Sequence, residues 1–168
     1  MIAEIGRFNK AYLTRITQLT NKTNQFNLTT KRMTEKDIEY IMNDDLSISL
    51  YAKLDDKFGE NGLVSVMQGN IKGSSVSIDL WLMSCRVFKR TLEYTIFYEF
   101  AKLARSKNIN TIIGKYMPTK KNKIVSDIYK ELGFSMVDEN NGTLTFELNL
   151  LAYEIPENKN ITLKKEQK

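Results

Sequence analysis

Histidine is absent from this 168-residue chain, cysteine occurs once and proline twice. Without histidine there is no Ser-His or Cys-His nucleophile pair, no imidazole zinc ligand and no imidazole acid–base group. Carboxylates, tyrosine, lysine and one thiol remain for any chemistry. The single cysteine, Cys85, cannot close an internal disulfide and offers no metal-ligand spacing, so no metal is expected. No apolar run reaches membrane-spanning length, and the opening MIAEIGRFNK lacks the apolar core of a signal peptide; neither feature implies a membrane, and a cytoplasmic location is expected. The formal charge of +5 and pI near 9.2 suit an acidic partner or a phosphate-bearing ligand. The basic residues are scattered among 20 acidic ones with no aromatic and basic motif of RNA-binding type, so nucleic acid is not an expected partner.

What is present is an ordinary globular profile, 42% hydrophobic and 27% charged, sufficient for one domain with its own core. The reading places that domain over residues 1–156, with a frayed polar tail over 157–168. Tyr12, Ile16 and Leu19 predict a helix over residues 8–21. A polar connection follows over 21–30, and its single aromatic, Phe26, either pins a plain loop or sits beside Asn24, Gln25 and Asn27 in a substrate site. Thr34 and Asp37 predict a capping box opening a second helix. Strands over 46–53 and 63–68, with turns over 58–62 and 69–75, lead to a third strand and an antiparallel meander.

That third strand belongs to residues 77–104, around which the chain is organised. Residues 78–85 are almost uncharged, and from Thr91 the pattern switches to helical spacing, with Leu92, Ile96, Phe100 and Leu103 on one face. A strand aimed at the first turn of a helix builds an anion site from unpaired N–H groups. Asp79, alone in the apolar run, orients or deprotonates an acceptor, or else bonds neighbouring backbone. Cys85 is placed by alternation on the same face as Trp81, before the helix start; there it is a transient acyl carrier or a buried structural thiol. A strand over 111–117, a helix over 124–132 closed by Gly133, and a hairpin turned at Gly142 complete an α+β arrangement with one mixed sheet.

Three segments, RITQLTNKTNQFNLTTKR, IDLWLMSCR and PTKKNKIVSDIYKELGF, resemble the C-terminal domain of the FkbH-like proteins of methoxymalonyl-ACP biosynthesis. The resemblance implies a GNAT-like (acyl-CoA N-acyltransferase) fold, a mixed central sheet with helices on both faces. It also implies an acyltransferase handling an acyl or glyceryl thioester of an acyl carrier protein for polyketide extender units. Coenzyme A or a phosphopantetheine thioester is the implied cofactor. A HAD-type phosphatase domain accompanies the family's domain; no Asp-x-Asp-x-Thr occurs in this chain, so a separate phosphatase subunit becomes an implied partner. In the family pattern for the coenzyme A pyrophosphate, Arg86 takes the first position, while Lys89 and Thr91 stand where small residues are usual. Arg86, Lys89, Arg90 and Thr91 are thus the implied pyrophosphate contacts, and Asn122 the implied contact to the pantetheine arm. Tyr129 matches the tyrosine that protonates a leaving thiolate, with a structural tyrosine as the alternative. Asp79, Tyr129 and Cys85 form the expected catalytic set, with Asn24, Gln25, Asn27 and Trp81 around the substrate. Lys120, Lys121 and Lys123 offer a basic patch to an acidic carrier protein. Two alternatives remain: a noncatalytic module docking a carrier protein or pantetheine arm, and an acetyl-coenzyme A-dependent N-acetyltransferase.

Overall fold

A computed structural model describes residues 1–164 of the chain. Nine strands form one mixed sheet: β1 (Ile2–Gly6), β2 (Phe26–Asn27), β3 (Ser47–Asp56), β4 (Gly59–Lys72), β5 (Ser75–Met83), β6 (Thr111–Tyr116), β7 (Ser135–Asn140), β8 (Thr143–Asn149) and β9 (Thr162–Leu163). The order across the sheet is β7-β8-β6-β5-β4-β3-β1-β9, with β2 on β5. The β5 and β6 pair is parallel, as is β1 with β9; the other pairs are antiparallel. Among the described residues the four α-helices are α1 (Leu13–Lys22), α2 (Glu35–Met42), α3 (Leu92–Ser106) and α4 (Ile128–Leu132).

The sheet is covered on both faces, because its central strands are apolar on both. Ile48, Leu50, Ala52, Val64, Met67, Val76, Ile78 and Trp81 join Leu92, Ile96, Phe97 and Phe100 of α3 and Tyr129 of α4 in the larger core. Tyr51, Leu63, Val66, Leu80 and Leu82 meet Ile16 and Leu19 of α1 and Ile38 of α2 in the smaller one. Helix α2 opens on the expected capping box, with Thr34 and Asp37 exchanging side-chain-to-backbone bonds at 3.1 and 2.8 Å. Gly133 closes α4 at φ 102°, where a left-handed residue is needed.

Several expectations are corrected. The first strand, Ile2–Gly6, is too short for its alternation to stand out; its pairing partner β3 lies far away in sequence. The turns expected over 58–62 and 69–75 are shorter than that, since β4 runs from Gly59 to Lys72 and only Gly73 and Ser74 separate it from β5. The helix expected over 124–132 is a 3-10 turn, Lys123–Val125, followed by the single short helix α4. The tail is docked rather than frayed as far as it is described. Ile161 is buried in the larger core, β9 pairs with β1, and the Asn158 amide donates to the Thr91 carbonyl, Thr91 Oγ1 and Thr95 Oγ1 at 2.9 to 3.1 Å. Residues 165–168, the remainder of that expected tail, lie outside the described residues.

One irregularity sets the geometry of the site. Gln68 pairs with Leu80 and Gly69 with Ile78, so Asp79 is an unmatched bulge residue. The extra residue shifts the alternation: Ile78 and Trp81 both face the α3 side, whereas Leu80 and Leu82 face the α1 side.

Candidate functional site

Strands β5 and β6 pair over only four residues, Ser75 to Ile78 against Thr111 to Gly114, and then part. Residues 26–29, between α1 and α2, enter the gap. Phe26 and Asn27 pair with Met83 and Leu82, and Leu28 donates its N–H to the Trp81 carbonyl at 3.0 Å. On the other side the Leu28 carbonyl accepts from the Met117 N–H at 2.8 Å. The parted strands are thus rejoined through a third piece of chain, which satisfies backbone groups that would otherwise be orphaned.

Outside this strap, at the end of β5, lies a cavity of about 490 Å³. Helix α1 contributes Arg15, Leu19 and Lys22, the segment leading into the strap contributes Asn24 and Gln25, the strap contributes Phe26, and the turn after β5 contributes Ser84, Cys85 and Arg86. No carboxylate among the described residues lines it. Cys85 is solvent-exposed and begins a 3-10 turn, Cys85–Val87, capped by Ser84. Arg86 donates to Ser84 Oγ at 3.4 Å and to the Asn61 carbonyl at 3.3 Å. Arg15 is half-buried and has no hydrogen-bond or ion-pair partner among the described residues. Burial, followed by the charge of Arg86, lowers its affinity for its proton. Two guanidinium groups repelling each other beside an open thiol make a cavity whose unmet requirement is an anion.

The cavity unites Asn24, Gln25, Cys85 and Arg86 from the expected set. The others lie elsewhere. The Asp79 bulge points its side chain to the α2 side, where it pairs with Lys31 and lines a separate cavity with Gln68 and Asn70. Trp81, expected on the face of Cys85, is fully buried in the α3-side core with its Nε1 unpartnered. Cys85 lies beyond the end of the strand, so alternation does not carry to it. Tyr129, expected at a cleft mouth, is 1% exposed; its ring packs on Trp81, Phe134 and Phe146, and its hydroxyl donates to the Lys115 carbonyl at 3.2 Å. Burial raises its pKa far above the usual tyrosine value, so the phenol holds its proton. Asn27 is also buried; its side chain donates to the Thr23 carbonyl at 3.0 Å and accepts from the Thr30 N–H at 2.9 Å.

The expected cofactor contacts are largely engaged within the chain. Arg90 pairs with Asp56, Thr91 with Asn158, and Asn122 is buried with its amide donating to the Asn27 and Met117 carbonyls, both at 2.9 Å. Lys89 and Thr91 have φ of 62° and 64°, the left-handed region that favours glycine. Their side chains therefore stand at the two points where a close approach of phosphate to backbone needs none. As this chain holds them, Arg90, Thr91 and Asn122 already have partners, and Arg86 and Lys89 are the expected contacts left exposed. Arg15 is the residue that sequence reading missed. Its signal was its spacing from Leu19 and Lys22, four and seven residues on, which puts all three on one side of a helix. Among the described residues no group of three or more metal-ligating side chains gathers, and no helix is long and apolar enough to cross a membrane.

No family model and no curated protein matches the chain. Solved structures do. Ard1 from Thermoplasma volcanium superposes with a TM-score of 0.70 at 13% identity, covering 89% of this chain and 98% of that one. The PaiA N-acetyltransferase from Thermoplasma acidophilum, in complex with coenzyme A, gives 0.65 at 15% identity over 89% and 99%. The GNAT domain of S. lividans PAT gives 0.69 at 12% identity over 86% and 89%. The chain has the GNAT acetyltransferase fold, as its sequence motifs implied.

Proposed function

We propose that this GNAT-fold chain handles an acyl or glyceryl thioester of an acyl carrier protein, with Cys85 as a transient acyl acceptor. The observation that carries the reading is the exposed Cys85 thiol in a cavity lined by Arg15, Lys22 and Arg86 and by no carboxylate among the described residues. A phosphopantetheine thioester brings an anionic phosphate on a flexible arm to its reacting carbonyl. The two guanidinium groups suit that phosphate, and the Asn24 and Gln25 side chains suit the amides and hydroxyls that follow it.

The step is a thioester exchange. The Cys85 sulfur attacks the acyl carbonyl, the new carbon–sulfur bond forms as the bond to the arm breaks, and the thiol proton passes to the departing sulfur. Sulfur replaces sulfur, so no oxidant or reductant is involved. The exposed Lys120, Lys121 and Lys123 belong to the turn that Asn122 ties to the strap, and they favour an acidic carrier. The phosphatase activity associated with such domains would come from a separate HAD-type subunit.

The test is mass spectrometry of the chain incubated with acyl-carrier thioesters. The expected result is a mass gain mapping to Cys85 that Cys85→Ser abolishes. No adduct with any thioester, while salt-sensitive binding of the carrier persists, would leave the noncatalytic docking reading instead. That second reading is favoured by one observation, the lack of any carboxylate among the described residues of the cavity to take the thiol proton. An acetyl-coenzyme A-dependent N-acetyltransferase, the activity in the name of the PaiA protein, is the weaker reading because Arg90, Thr91 and Asn122 are engaged internally.

A further inference from the structure

Strand edges part in the sheet interior between β5 and β6, beyond Ile78 and Gly114, and the chain itself fills the gap. An arm carrying two amides, such as that of coenzyme A, pairs with a free strand edge much as a peptide does. The edge nearest the start of α3, where a pyrophosphate would find helix N–H groups, is the inner edge of β5 at Trp81 to Met83. Residues 26–28 already hold that edge.

We propose that residues 26–29 are a permanent internal strap standing where the arm of coenzyme A would have to lie. The chain thereby excludes that cofactor from its sheet and meets a thioester arm only at the outer cavity beside Cys85.

The strap is fastened on every side. Leu28 bonds to Trp81 and Met117 on the two parted strands. Thr29 Oγ1 donates to the carbonyl of the bulge residue Asp79 at 2.8 Å. Asn122, expected to grip the pantetheine arm, donates at 2.9 Å to the carbonyl of Asn27 instead, so a backbone amide of the chain takes the part of an amide of the arm. The side chains lock it further: Leu28 is fully buried, and Phe26 sits 6.0 Å from the Trp81 ring and 6.1 Å from the Phe88 ring. Clearing the gap would expose both apolar side chains and break bonds to two strands and to Asn122. A mobile lid would have neither the bonds nor the burial.

The experiment is residue-resolved amide exchange on the full chain, alone and with coenzyme A or pantetheine at millimolar concentration. The Leu28 and Met117 amides are expected to be protected by more than about 10³-fold, and to change less than about twofold on adding either compound. Fast exchange of these amides in the free chain would overturn the proposal. So would loss of their protection, or of Leu28-to-Trp81 cross-strand contacts, when coenzyme A is added. Thr29→Val keeps the shape and removes one anchoring bond; exchange at Leu28 should then rise about 5- to 10-fold with the chain still folded, and an unchanged rate would refute the anchoring. Acylation of Cys85 can fail while these amides stay protected, or succeed while they open, so the two readings fall separately.

Discussion

Asn122 separates a structural role from a cofactor-binding one, and Asn122→Ala is the decisive perturbation. The side chain is fully buried. Its amide donates to the Asn27 and Met117 carbonyls at 2.9 Å each, and its oxygen accepts from the Thr119 N–H at 2.7 Å and the Tyr116 hydroxyl at 3.4 Å. Truncation leaves the Thr119 N–H and the Met117 carbonyl without these partners, at about 1–3 kcal/mol each. The groups share one network and water can enter part of the vacated space, so the sum is not additive; about 3 kcal/mol is the expected loss. For a chain of this size that lowers Tm by roughly 6–12 °C. With a urea slope of about 2–3 kcal/mol/M it moves the urea midpoint by about 1–1.5 M. Asn122→Asp keeps the acceptor and sets a second oxygen against two carbonyls, so it should be no better tolerated than alanine. Equilibrium urea unfolding followed by tryptophan fluorescence, reporting on buried Trp81, measures both. An Asn122→Ala protein within about 0.5 kcal/mol of wild type, at an unchanged slope, would refute the reasoning.

Three further perturbations follow from the packing. A Cβ placed on Gly114 would lie 2.4 Å from the Tyr129 ring, whose position is fixed by core aromatics, so Gly114→Ala should lose about 1–3 kcal/mol in the same urea assay; an unchanged midpoint would mean that the ring can yield. Exposed Lys89 holds a left-handed backbone, so Lys89→Gly relieves about 1–2 kcal/mol of strain against roughly 0.4–1 kcal/mol of added unfolded-chain entropy. A net gain of about 0.5–1 kcal/mol is expected, with Lys89→Val less stable than wild type; the reverse order would contradict the backbone geometry. Burial, reinforced by the charge of Glu131, raises the pKa of Glu93 above its ordinary 4.5. A raised folded-state value stabilises fully below the unfolded one and is lost as pH climbs through the folded one, so the stability of Glu93→Gln relative to wild type should grow as pH rises from about 4.5 towards neutrality. A difference that is flat or shrinks over that window would contradict the placement of Glu93.

The sequence by itself determined whatever depends on neighbours along the chain. The capping box at Thr34 and Asp37, the left-handed Gly133 and the amphipathic face of α3 follow from spacings of three and four residues and from one backbone preference, so they were legible without coordinates. Quoted motifs implied the fold as well, and Arg86 and Cys85 were found as neighbours at the end of a strand. Tertiary structure alone decided which side chains share a cavity. The Asp79 bulge shifts alternation by one and puts Asp79 and Trp81 on opposite sides of the sheet; nothing local announces it, because a bulge is defined by what the partner strand does. The same holds for residues 26–29, a polar loop by composition, which are paired to the sheet because β5 and β6 parted far along the chain and left backbone groups that had to be satisfied. Arg15 acquired its meaning in the same way, when a helix set it unpartnered beside Arg86, 71 positions later in the numbering.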